Sequence, residues 1–252
     1  MADAEKPSVY LILGAAGSGR REVIADLIEG GLAETDRPAV LVSDAEAAHA
    51  DNLPGVQTWR WTGELIEGAL PAGATPVFFV ADGRTNPVDQ IEVFKPWLEA
   101  QGGELARVFC VVNCQLAEQH PELVAWYEAC VHFSDVVLLN RREGVANKWI
   151  SDFQGHFRKQ FLPALFETVK GGRVKNPNLV LEPQARRMSH WFEEEPDWIV
   201  SGPDGDEFDE EGGDGDEEEV ELTPAEDPYL ERRAGGRRVK PIPDVRQFLN
   251  HA

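Results

Sequence analysis

The segment Gly14-Ala15-Ala16-Gly17-Ser18-Gly19-Arg20-Arg21 follows directly on the apolar run Ser8–Leu13 and opens a stretch with helical periodicity. Glycines at such a junction let the chain turn so that successive backbone N–H groups face one point. The start of a helix adds the positive end of its dipole there, and the arrangement suits an anion such as phosphate. The Gly-x4-Gly spacing is that of a P-loop and differs from the Gly-x-Gly-x-x-Gly of dinucleotide-binding folds. A P-loop ordinarily continues with Lys and then Ser or Thr, where this chain has Arg20 and Arg21. Arg20 brings a cation with a planar fork of donors, and Arg21 has no hydroxyl with which to hold Mg2+. Gly14, Gly17, Ser18, Gly19, Arg20 and Arg21 are therefore the candidate phosphate contacts. The same residues also read as a glycine-rich strand-to-helix turn that holds nothing.

A second polar cluster, Asn140-Arg141-Arg142-Glu143, closes another apolar run. Guanine-specific proteins carry Asn-Lys-x-Asp at such a place, with the carboxylate accepting hydrogen bonds from the base. Asn140 and Glu143 are the corresponding candidates.

These clusters need elements to position them. Five short runs, Ser8–Leu13, Ala39–Ser43, Pro76–Ala81, Arg107–Asn113 and Asp135–Asn140, are rich in Val, Leu, Ile and Phe and mostly lack alternation, as strands covered on both faces do. Helical patterns occupy Arg20–Glu29, Gly63–Ala69, Val88–Ala100 and Pro121–His132 between them. The alternation predicts an α/β fold, a doubly wound, mostly parallel sheet of the P-loop NTPase type with a disordered acidic tail. An amphipathic stretch, Asn147–Phe161 and then Pro163–Lys170, reads as a closing helix, with Gly171-Gly172 as its C-cap. Trp59 and Trp61 suggest an additional edge strand.

In this order and spacing the chain resembles the CobW/HypB/UreG nucleotide-binding family of P-loop GTPases, and its CobW branch most. After the second strand, Val42-Ser43-Asp44-Ala45-Glu46 running to Asp51 parallels the branch's Val-Asn-Glu-Phe-Gly-x4-Asp. After the third, Val80-Ala81-Asp82-Gly83-Arg84-Thr85-Asn86-Pro87 parallels Glu-x-Ser/Thr-Gly-x3-Pro, and the fourth ends Val112-Asn113 for a Val-Asp pair. The resemblance spans about residues 7–172. It implies GTP as a weakly bound or vestigial ligand, hydrolysis that is slow or absent, and Asp44 or Asp82 as the catalytic carboxylates that would hold a metal or orient water. Whether Mg2+ takes part stays open. The Cys-x-Cys-Cys metal motif, the second CobW domain and its histidine-rich stretch have no counterpart here. The alternative is a pseudo-GTPase interaction module that binds a protein partner without nucleotide.

The net charge of −21 is concentrated: residues 204–227 hold fourteen of the 45 acids, leaving 31 acids against 24 bases elsewhere. Such a balance excludes non-specific nucleic-acid binding. Residues 1–172 are expected to form the nucleotide-binding domain, 173–200 an extension packed on it, 201–228 a disordered acidic linker, and 229–252 a basic-hydrophobic peptide for a protein partner. Three cysteines, Cys110, Cys114 and Cys130, and a polar, acidic start favour a reducing compartment, read as the cytoplasm. Neither the cysteines nor the scattered histidines, His49 among them, are spaced as metal ligands, and no apolar run approaches a membrane span.

Overall fold

Runs of β-branched and aromatic residues too apolar to alternate can be satisfied only by burial on both faces, and that is how the sheet is built. The structure, a computed structural model, describes residues 6–49, 53–193, 198–201, 221–224 and 226–249. In chain order its strands are β1 (Ser8–Leu13), β2 (Ala39–Ser43), β3 (Val56–Trp61), β4 (Ile66–Glu67), β5 (Val77–Val80), β6 (Glu104–Asn113), β7 (Val136–Asn140), β8 (Leu165–Lys170) and β9 (Arg173–Val174). They form one nine-stranded sheet in the order β4-β3-β2-β5-β1-β6-β7-β8-β9. All neighbours from β3 to β8 run parallel, and an antiparallel strand closes each edge.

The helices are α1 (Arg20–Gly31), α2 (Pro87–Ala100), α3 (Cys114–Gln119), α4 (Val124–His132), α5 (Asn147–Arg158) and α6 (Pro177–Leu181). Alternate strand residues separate onto two faces. Tyr10, Ile12, Val40, Val42, Phe78, Val80, Phe109, Val111, Val136 and Leu138 pack with Val23, Ile24 and Leu27 of α1 and Val180 and Leu181 of α6. On the opposite face Phe79 meets Phe94 and Trp97 of α2 at ring separations of 4.9 and 5.1 Å, and stacks on Trp59 of β3 at 4.6 Å. The sheet is thus doubly wound, and the carboxyl ends of β1, β5, β6 and β7 open on one edge. That edge is where open α/β sheets bind ligands.

Three local expectations are corrected. Gly63–Ala69 is not helical: Gly63 has φ +97°, the Thr62 hydroxyl accepts from the N–H groups of Glu64 and Leu65, and β4 follows. Gly at that φ and a Thr-centred turn together stop a helix from starting. The amphipathic run after β7 is helical only to Arg158. Phe161 takes a left-handed φ of 55°, Pro163 cannot continue a helix, and Leu165–Lys170 becomes β8, parallel to β7. Gly171 and Gly172, at φ 58° and 77°, therefore make the hairpin turn from β8 to β9 and cap no helix. The Trp59 strand is present, one place in from the sheet edge, with the indole N–H donating to the Val80 carbonyl at 3.0 Å.

The segment after β9 is bound by buried polar groups. Arg107, fully buried on β6, donates to the carbonyls of Leu179, Val180 and Gln184 at 2.7–3.0 Å, satisfying the end of α6. Asp135, also fully buried, accepts from the backbone N–H groups of Val108, Arg186 and Arg187 and pairs with the Arg187 guanidinium at 2.9 Å.

The chain divides into two compact units, residues 1–188 with 241–252, and residues 189–240. In the second, β10 (Trp198–Ser201) pairs antiparallel with β11 (Glu221–Pro224), and Ser189 donates to the Asp227 carboxylate. The Lys240 ammonium lies 4.4 Å over the Tyr229 ring. Of the stretch expected to be a disordered linker, 202–220 and 225 lie outside the described residues, as does Asp51. Within 229–249, Tyr229, Leu230 and Val245 are buried, and the Phe248 ring sits 5.3 Å from that of His120. No helix among the described residues is long and apolar enough to cross a membrane.

Candidate functional site

The turn from β1 into α1 has the backbone of a phosphate loop. Gly14, Gly17 and Gly19 adopt φ of 139°, 79° and 83°, a region that side chains resist. Gly19 is also required by contact: a Cβ there would stand 2.3 Å from the Asn140 amide nitrogen. That amide donates to the Ser18 carbonyl at 2.9 Å, so the end of β7 braces the loop. Asn113, ending β6, reaches the Gly17 carbonyl at 3.4 Å and caps α3 through Leu116 N–H. Beside them Arg141 pairs with Glu22 of α1 at 2.6 Å.

Arg20 does not stand free above the loop. It is 3% exposed, and its Nη2 lies 2.7 and 2.8 Å from the two carboxylate oxygens of Glu46. Its Nη1 donates to the Ala81 carbonyl at the end of β5. Glu46 sits in the short 3-10 helix Asp44–His49 that follows β2. Its carboxylate also accepts from Gly83 N–H at 3.1 Å, and its carbonyl accepts from Arg21. Burial is the largest influence on the Glu46 carboxyl and pushes it up. The Arg20 charge and hydrogen bond, the Gly83 N–H and the Arg21 charge together outweigh that and hold it below the ordinary glutamate value.

The loop's own donors are partly committed too. Ala16 N–H donates to the Gly83 carbonyl at 2.9 Å, and Ser18 N–H to that of Ala15 at 3.1 Å. A Cβ on Gly83 would come within 2.4 Å of Ala16 N and 2.7 Å of Gly14 O, so the turn after β5 is pressed against the loop.

The remaining candidates fall in different places. Asp82 joins this cluster: it is 7% exposed, its carboxylate accepts from Arg84 N–H at 2.9 Å, and Gln90 holds its backbone on both sides. Burial foremost, and the Glu46 charge, raise its carboxyl above the usual aspartate value against the pull of Arg84 and Arg20. Asp44 lies apart, about half exposed and 3.3 Å from Arg60 of β3. Glu143 is exposed, and its carbonyl accepts from the Gln115 side chain. The His49 side chain lies outside the described residues. Burial raises the Cys114 thiol to about 12 and the Cys130 thiol well above its usual value, which disfavours the thiolate a metal needs. Among the described residues no group of His, Cys, Asp and Glu is placed to hold a metal.

The residues present do not fit a magnesium nucleotide in this arrangement. Arg21 stands where a hydroxyl is needed, and the one nearby hydroxyl, Ser18 Oγ, is fully buried without a hydrogen-bond partner. The loop's cation is already neutralised by Glu46. Glu46 and Gly83 lie within motif-like stretches of the sequence whose spacing marks neither of them. Their roles arise from the 3-10 turn and the close backbone approach, which leave no spacing signal.

No protein-family model matches the sequence, and no curated protein is significantly similar to it. Among solved structures, the chain is similar to zinc-bound YjiA GTPase from E. coli, at 13% identity and TM-score 0.41 over 73% of this chain and 67% of that one. It is similar also to a zinc-bound triple mutant of the YjiA GTPase, at 14% identity and TM-score 0.44 over the same shares of the two chains.

Proposed function

We propose that this chain is a P-loop protein of the GTPase-like type that binds guanine nucleotide weakly, with little dependence on Mg2+, and hydrolyses it slowly or not at all. The observation that carries this reading is the Arg20–Glu46 contact: the loop's cation is buried and already paired. An incoming phosphate must displace a carboxylate held by Arg20 and Gly83 N–H, so part of its binding free energy is spent on the exchange. Phosphoryl transfer depends on cations positioned at the transferring group. Here one is neutralised and the hydroxyl that holds Mg2+ is replaced by Arg21. The preference for guanine rests on the resemblance at Asn140–Glu143, and three buried free cysteines suit a reducing, cytoplasmic setting.

The test is titration of the full chain with a fluorescent GTP analogue, with and without Mg2+. Binding in the high-micromolar to millimolar range that changes little on adding Mg2+ supports the reading. Tight binding that requires Mg2+ would refute it. A second reading, an interaction module that binds a protein partner through residues 229–252 without nucleotide, is favoured by the same closed loop. It predicts no binding at millimolar nucleotide.

A further inference from the structure

The Glu46 carboxylate lies in the midst of donors that have an anion's geometry around them. Arg20 Nη2 meets both its oxygens at 2.7 and 2.8 Å, Gly83 N–H meets Oε1 at 3.1 Å, and Arg21 Nη2 stands 3.8 Å from Oε2. Two guanidinium groups and a backbone N–H converging at the mouth of a glycine loop would receive a phosphate oxygen as readily as a carboxylate oxygen. Glu46 is 10% exposed and reaches the site from a 3-10 turn whose Ala45 carbonyl is held by Arg84 at 3.3 Å, while Asp44 beside it is paired with Arg60. The turn is thus fastened at the two residues that precede the one entering the loop.

We propose that Glu46 is a built-in anion that occupies the phosphate site of this loop, and that the site, once Glu46 is withdrawn, takes a compact diphosphate group without needing a nucleobase. This rests on the reading of the loop as a phosphate site and adds the residue that sets its affinity. The reason for a diphosphate is the extent of the donors. Arg20 and Arg21 lie on consecutive positions at the start of α1, Gly83 faces them from the turn after β5, and the single carboxylate hydrogen-bonds Arg20 and Gly83 while Arg21 Nη2 stands 3.8 Å away, a gap that a second phosphoryl group would span. The reason for Glu46 as the determinant is its placement. It is the only acid whose carboxylate contacts Arg20 among the described residues, and with it gone Arg20 is a buried cation with one carbonyl partner, Ala81. A buried charge left without its partner is costly and recruits a replacement anion.

The experiment compares the full-length protein with Glu46→Gln by thermal unfolding, using inorganic pyrophosphate as the probe and chloride at equal ionic strength as the control. Glu46→Gln is expected to melt below wild type in chloride. It should recover by about 3–6 °C in pyrophosphate at roughly ten times its dissociation constant, while wild type moves by less than about 1 °C. The double variant Arg20→Gln with Glu46→Gln removes both charges and should show no recovery. Should Glu46→Gln fail to fold in chloride, Glu46→Asp, which shortens the reach by one methylene, is expected to show the same pyrophosphate response at smaller amplitude. Equal responses of wild type and variant, or a response that persists in the double variant, would overturn the proposal. Because the probe has no base, its outcome is separate from the GTP titration. Tight Mg2+-dependent GTP binding by wild type would sink the functional reading while leaving the pyrophosphate comparison to decide the role of Glu46.

Discussion

Gly83→Ala asks whether the turn after β5 and the phosphate loop form one unit. A Cβ on Gly83 would stand 2.4 Å from Ala16 N, 2.7 Å from Gly14 O and 2.5 Å from Arg20 Nη2. Two of these are backbone atoms, so no side-chain rotation relieves the overlap, and the turn must lift off the loop. Lifting breaks the Ala16–Gly83 hydrogen bond of 2.9 Å and the Gly83–Glu46 bond of 3.1 Å. Overpacking costs about 1–3 kcal/mol, and the two bonds add about 1 kcal/mol for the neutral one and about 2 for the charged one. Since one movement relieves the overlap and breaks both bonds, about 3 kcal/mol is expected, a fall in Tm of roughly 6–12 °C for a domain this size. Gly17→Ala is the control. It has φ +79° with nothing within 4 Å, so only the left-handed strain of about 1–2 kcal/mol applies. Urea unfolding of both variants, with unchanged m-values, measures the difference. A loss below about 1 kcal/mol for Gly83→Ala, or one smaller than that of Gly17→Ala, would refute the close packing.

Asp135→Ala is expected to cost about 3–5 kcal/mol, because it removes a buried carboxylate that pairs with the Arg187 guanidinium and accepts from three backbone N–H groups; a urea midpoint near that of wild type would contradict it. Phe161→Gly is expected to stabilise the fold by up to about 1 kcal/mol, since Phe161 holds φ +55° while 87% exposed and little packing is lost; a lower Tm would contradict it. Stability should also depend on pH through two carboxyls of opposite shift. Glu46 is held below the ordinary glutamate value of 4.5, so its contribution is complete above 4.5 and is lost as pH falls through its folded value. The stability gap between wild type and Glu46→Gln should therefore narrow in acid. Asp82 is raised above 3.8, so its contribution is present below 3.8 and is lost as pH rises through its folded value, and Asp82→Asn should gain on wild type across that rise. Urea midpoints from about pH 7 down to about pH 3 test both.

The sheet was legible because its signal is local. Val9–Leu13, Val40–Val42, Phe78–Val80, Val108–Val112 and Val136–Leu139 are buried on both faces, and a run of that kind has few alternatives to a central parallel strand. β8 was hidden because Leu165, Phe166 and Val169 continue the helical spacing of Phe153 and Phe157. What separates them is Phe161 at positive φ and Pro163, two residues that periodicity does not weigh. The glycine turn from β1 into α1 was legible from glycine spacing, and its bracing by Asn140 follows the order of the strands. The Arg20–Glu46 contact was not legible. It spans 26 positions, and which of Asp44 and Glu46 turns inward depends on the pitch of one short 3-10 helix. The sequence offered Asp44 or Asp82 as the carboxylate; Asp44 lies beside Arg60.

An arginine at position 20 suits this closed arrangement in a way that a lysine does not. Its two terminal nitrogens diverge, one to the Ala81 carbonyl at the end of β5 and the other to both oxygens of Glu46 after β2. One side chain from α1 thus ties together two loops that follow different strands. An ammonium is a compact point charge on a flexible stem, and it would have to span both partners from one atom. A buried pair of this kind adds little net stability against a well-packed apolar pair, because both charges are desolvated, but removing either partner alone is strongly unfavourable. Each residue therefore holds the other in place. Replacing Arg20 by Lys would leave Glu46 held by Gly83 N–H and beside Arg21, and the carboxylate would still occupy the mouth of the loop. Restoring the customary P-loop residues at 20 and 21 would accordingly leave the main obstacle untouched, because that obstacle comes from the β2 side of the cleft.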